Sequence, residues 1–138
     1  MNKEKIFNYL SDGYNCSQTV FMYFAEKYKI SLKDAGAISK AFESGMFNGD
    51  TCGAVSGAYM ILGLHFSDMK RNEFNKKINY FNNLFKSKMS YLKCEELLGI
   101  DINIENNMQK AIDNGKIHSI CPNAVITAIE ILETMINN

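Results

Sequence analysis

The chain carries one proline, no tryptophan and no excess charge of either sign, and each shortage excludes something. With Pro122 as the only proline, almost the whole chain is free of the residue that most strongly breaks helices. A formal net charge of zero and a pI near 6.7 leave no basic footprint for nucleic acid or an anionic membrane. The longest apolar stretch, Ala54 to Phe66, is too short and too interrupted by glycine to span a bilayer. The N-terminal MNKEKIFNYLSDGYN lacks the apolar core of a signal peptide. We therefore expect no direct membrane insertion and a cytoplasmic location. Motifs are missing too. There is no Cys-x-x-Cys, which argues against a zinc ribbon and a thioredoxin-like dithiol, and no Walker loop, GxGxxG after a strand, HExxH or GxSxG.

What remains is an ordinary globular composition, 46% hydrophobic and 22% charged, over 138 residues. That length supports one core without staples, so residues 1–138 are expected to form a single domain. Thiols stay reduced in the cytoplasm. The four cysteines are thus better suited to catalysis, redox sensing or metal binding than to a disulfide frame.

Apolar residues recur at helical spacing and no stretch alternates as a strand would, which predicts an all-α compact bundle of about six to seven helices. Lys3 to Leu10 forms the first helix, with Ile6, Phe7 and Leu10 on one face. Asn15 caps a second that runs to about Tyr28 and buries Val20, Phe21 and Phe24. Ser31 caps a third, with Leu32, Ala35, Ile38 and Phe42 as its stripe. Met69 to Lys88 is the most regular amphipathic segment, with Phe74, Ile78, Phe81 and Phe85 inward. A short CEELLG turn follows Lys93, with Gly99 as C-cap. Asp101 to Gly115 reads as loop with one weak helix near Glu105 to Ile112. Pro122 is a favoured first helical residue, so the last helix is expected to start there and to bury Val125, Ala128, Ile129, Leu132 and Ile136.

The stretch from Ser44 to Phe66 organises the rest. Gly45 and Gly49 bracket a loop open to positive φ, and Asp50 is placed to cap the helix that follows. Cys52 then falls in the first helical turn, where the partial positive charge favours a thiolate. Gly53 and Gly57, with Ala54, Ser56 and Ala58 beside them, leave one side of this helix nearly bare. A glycine costs about 1 kcal/mol against alanine in a helix, so Gly53, Gly57 and Gly63 suggest a gain from close approach. That surface suits tight helix packing, a cofactor or a subunit interface, and a homodimer stays open.

Each cysteine maps to an expected helix start: Cys16 after the Asn15 cap, Cys52 after Asp50, Cys94 opening CEELLG and Cys121 before Pro122. Helix propensity does not demand this, because cysteine is not a favoured cap. Convergence of these starts would set four polarised sulfurs among backbone N–H donors. Around them, Tyr14 and Asn15 flank Cys16, and His118 precedes Cys121 by three residues as a candidate base or ligand. His65 is expected at the carbonyls of its own helix end, and Glu95 and Glu96 fit the first turn of theirs.

The segment Cys52-Gly53-Ala54-Val55-Ser56-Gly57, with Asn15-Cys16, Cys94 to Gly99 and Cys121-Pro122, resembles the small C_GCAxxG_C_C family of redox-active proteins over nearly the whole chain. The resemblance implies that Cys16, Cys52, Cys94 and Cys121 are the defining catalytic or metal-ligating positions. It also implies that Gly53, Ala54 and Gly57 complete a cofactor-binding motif. Iron–sulfur chemistry follows as one expectation and a zinc or iron site as another. Genes near transporters make a transport component one expected partner, beside an unidentified redox partner. Whether the protein is an enzyme is left open. In the dithiol form Cys52 is the expected attacking thiolate and Cys16 its expected partner.

Overall fold

The computed structural model describes residues 1–137. Among them are eight α-helices and no strand: α1 Lys3–Ser11, α2 Cys16–Ala25, α3 Leu32–Ser39, α4 Gly53–His65, α5 Arg71–Met89, α6 Cys94–Leu98, α7 Asn107–Asp113 and α8 Lys116–Ile136. The all-α expectation holds, with one short helix more than the upper count.

Local chemistry accounts for most starts. At α2 a reciprocal box forms, with the Gln18 N–H donating to the Asn15 side chain at 2.9 Å and the Asn15 N–H donating to the Gln18 side chain at 3.0 Å. The same two side chains reach across to α3: Asn15 Nδ2 donates to the Lys40 carbonyl and Gln18 Nε2 to the Gly36 carbonyl. One cap therefore both starts α2 and fixes where it starts relative to α3. Ser31 caps α3 as expected.

The core is built around α4. Helices α2 and α8 pack on it, and α5 covers α8. Gly57 makes the α2–α4 approach possible, since a Cβ there would lie 2.8 Å from the Ser17 carbonyl oxygen and 3.1 Å from Val20 Cβ. At Gly53 a Cβ would lie 3.0 Å from the Ser17 backbone nitrogen. Gly63 differs, with nothing near the space a Cβ would fill, so no close packing explains it. On α5, Phe81 and Phe85 are fully buried as its periodicity predicts. Phe7 and Ile38, expected inside, are exposed. Their neighbours Ile6 and Ala35 supply the buried contact instead.

Three corrections bear on the site. Helix α8 starts at Lys116, so Pro122 lies inside it and Cys121 is not a cap. Gly115, in the left-handed region at φ 81°, and the Asn114 side chain, which accepts from the Lys116 N–H at 3.1 Å, supply the earlier start. Second, α4 begins at Gly53 with Cys52 itself in the cap position. The Asp50 side chain accepts from Asn48 instead of capping. The third is only a shift of one or two residues: the weak helix expected near Glu105 to Ile112 forms, at Asn107–Asp113. Helix α8 is also long and apolar enough to cross a membrane, although half of its most apolar window is buried in the core.

Candidate functional site

All four cysteines line one cavity of about 370 Å³, and none is bonded in a disulfide. Cys16 is the first residue of α2, Cys52 caps α4, Cys94 is the first residue of α6, and Cys121 comes from inside α8. The convergence expected of the helix starts thus occurs, with α8 contributing a side face in place of an end.

Two local devices place Cys52 and Cys94 together. A single antiparallel bridge pairs Thr51 with Lys93. Its two hydrogen bonds, Cys52 N–H to the Leu92 carbonyl and Cys94 N–H to the Asp50 carbonyl, are both 2.7 Å long. Each bond uses the backbone of a cysteine, so the bridge fixes both where they enter their helices. The segment leading in is left-handed over Ser44, Gly45, Met46 and Phe47, at φ 50°, 64°, 57° and 56°. A Cβ at Gly45 would collide with the Asp50 backbone. The left-handed conformation costs a non-glycine residue about 1–2 kcal/mol, so Ser44, Met46 and Phe47 hold strain that the surrounding contacts must offset. One such contact joins Asn103 Nδ2 to the Asn48 side-chain oxygen at 3.2 Å. The turn leaves Glu43 and Ser44 on the cavity wall.

The four thiols are not equivalent. Cys16 and Cys121 share a hydrogen bond in which Cys16 donates, which pulls Cys121 below the ordinary cysteine range although burial opposes it. The same bond, together with burial, pushes Cys16 well up. Burial pushes Cys52 up to about 11, against the nearby backbone N–H groups of Ala54 and Val55, which favour the thiolate. Cys94 is pushed up to about 12 by burial, then by the neighbouring Cys52 and Cys121. Cys52 was expected to be the polarised thiolate. Desolvation outweighs its helix end, and Cys121 is the acidic thiol instead.

Tyr14, Asn15 and His118 line the cavity with the thiols, as does Gly53. Ala54 is fully buried, and Gly57 is filled from the other side by Ser17 and Val20. Neither of those two residues lines the cavity. His65 sits away from the cavity, with Nδ1 3.0 Å from the Tyr28 hydroxyl and its ring against Phe66, not at its own helix carbonyls. Glu43 went unnoticed in the sequence, its only signal being its place just before the glycine loop. Ile117 was missed because α8 was expected to start too late.

A family model described as "Putative redox-active protein (C_GCAxxG_C_C)" matches residues 14–135. The chain belongs to this family. No curated protein and no solved structure matches it. In this C_GCAxxG_C_C protein the sulfurs share a cavity without forming a ready ligand set. Among the described residues, no three His, Cys, Asp or Glu side chains are placed to hold one metal ion. Within the cavity Cys16 and Cys121 act on each other's acidity in opposite directions, Cys16 raised and Cys121 lowered.

Proposed function

We propose that this protein performs thiol–disulfide exchange with Cys121 as the attacking thiol and Cys16 as its resolving partner. What carries the reading is the one cavity that all four thiols line, together with the interaction with Cys16 that lowers the Cys121 pKa within it. The thiolate is the nucleophile in such exchange. Cys121 attacks one sulfur of a substrate disulfide, the S–S bond breaks, and the departing thiolate takes a proton from water. Cys16 then loses its proton to water and attacks Cys121 Sγ. The mixed disulfide breaks, the second substrate thiol leaves, and two electrons have passed from protein to substrate. Cys52 and Cys94, held protonated at neutral pH, stand as a reserve pair behind the first. The resting dithiol suits a reducing compartment, with a separate redox partner to return the protein to the dithiol. A sulfur-ligated metal or iron–sulfur centre is the rival reading, but the side chains do not fit one as placed.

The test is mass-spectrometric mapping of the bridge formed when protein purified without oxygen is titrated with a redox buffer, with iron, zinc and acid-labile sulfide measured beforehand. A reversible Cys16–Cys121 bridge in metal-free protein is expected. A bridge formed only between Cys52 and Cys94, or stoichiometric iron and sulfide in the isolated protein, overturns the assignment.

A further inference from the structure

The cavity around the thiols has a largely apolar wall with a single carboxylate in its lining. Leu10, Leu98, Met108, Ile112 and Ile117 form much of the wall, and Glu43 supplies a carboxylate. No lysine or arginine is among its lining residues. Lys116, next to Ile117, donates from its ammonium to the Leu98 carbonyl at 3.2 Å. Nor do the helix starts offer a free anion site. The Val55 and Ser56 N–H groups donate to the Cys52 carbonyl at 2.9 and 3.0 Å, and the first turn of α6 carries Glu95 and Glu96.

We infer that the substrate of this site is a neutral, apolar disulfide, such as a dithiolane ring on an alkyl chain ending in an uncharged amide, and that carboxylate-bearing disulfides are discriminated against. The inference rests on the exchange reading above. A carboxylate entering this cavity leaves water without gaining a counter-charge, and it meets both Glu43 and the Cys121 thiolate. An alkyl chain instead buries against the wall, and at about 370 Å³ the cavity lies near the small end of ligand pockets. The chemistry balances without a further reactant. Cys121 thiolate opens the ring by forming a mixed disulfide, and the freed ring sulfur takes a proton from water. Cys16, having given its proton to water, attacks Cys121 Sγ and displaces the other ring sulfur, which is protonated in turn. The dithiolane leaves as a dithiol and the protein as the Cys16–Cys121 disulfide.

Lipoamide and lipoic acid differ only in whether the chain ends in an amide or a carboxylate, far from the ring. The experiment follows thiol release from each by the reduced full-length protein at pH 8, normalised to the ratio given by free dithiothreitol. The expected rate constant is at least tenfold higher for lipoamide. Glu43→Gln is expected to narrow that ratio at least threefold by raising the lipoate rate. Ile112→Lys, at a wall position already 41% exposed, is expected to narrow it in the same way by adding a cation. Equal normalised rates, or unchanged ratios in both variants, overturn the substrate class. Exchange with hydroxyethyl disulfide but with neither dithiolane overturns it as well and leaves the exchange reading standing. Folded, reduced protein that exchanges with none of the three overturns the exchange reading itself.

Discussion

The two thiol pairs line one cavity from four different helices, yet only one pair contains an acidic member. Cys52 and Cys94 have the stronger local argument for a thiolate, each at a helix start with a fixed backbone, and are pushed up to about 11 and about 12. Cys121 has the weaker one, lying inside α8, and it is the thiol pulled down. What separates Cys121 from the other three is a proton donor. A helix end contributes about 0.3–1 kcal/mol, up to about 2 where partly buried, whereas removing a thiolate from water costs more unless a hydrogen bond is aimed at it. Cys121 receives one from Cys16. Cys52 has backbone donors, but its burial outweighs them.

The comparison breaks most directly at Cys121. Alkylation by iodoacetamide at pH 7.5 should fall about a hundredfold in Cys121→Ser, because the remaining thiols are held protonated by burial. Cys52→Ser should stay within about threefold of the parent. Equal loss in both variants, with helicity retained by circular dichroism, would mean that the pairs are not distinct.

A second break acts through packing. Gly57→Ala places a methyl group 2.8 Å from the Ser17 carbonyl oxygen, which is backbone and cannot swing aside. Overpacking of this kind costs about 1–3 kcal/mol, against about 1 kcal/mol gained in helix propensity. A net loss of up to about 2 kcal/mol in urea unfolding is expected, together with a drop in Cys121 reactivity as α2 carries Cys16 away from α8. Gly63→Ala is the control. It meets nothing and should leave stability unchanged or raise it by up to about 1 kcal/mol.

How far the sequence foretold this site depends on which physical term decided each element. Asn15, Ser31 and the α5 stripe were legible because caps and periodicity are local, and the cysteine positions pointed to one site before any contact was known. Pro122 misled for a tertiary reason. A proline signals a helix start when nothing else holds the preceding turn, but here Gly115 and Asn114 start α8 six residues earlier and Pro122 faces the cavity. The stripe of Gly53, Ala54 and Gly57 reads alike whether a cofactor or a helix lies against it, and only the position of Ser17 decides. The acidity of the thiols was illegible because burial and the Cys16–Cys121 pairing are long-range. The left-handed turn through Met46 and Phe47 carries no sequence signal beyond its flanking glycines.

The finest test of the comparison removes only the donor. In Cys16→Ala the Cys121 thiolate loses the hydrogen bond that lowers its pKa, while the burial that raises it remains. The Cys121 pKa must therefore rise, so the fraction ionised at pH 7 falls and alkylation slows, by about threefold to tenfold. Well above the shifted pKa both proteins are fully ionised and the rates converge. The pH–rate profile should accordingly move to higher pH without losing its plateau. Cys16→Ser keeps a donor at the same place and should move the profile back toward the parent. If serine and alanine shift it equally, the polarity of the cavity and not the Cys16 hydrogen bond sets the acidity of Cys121. A lowered plateau in both would point instead to a changed position of Cys121.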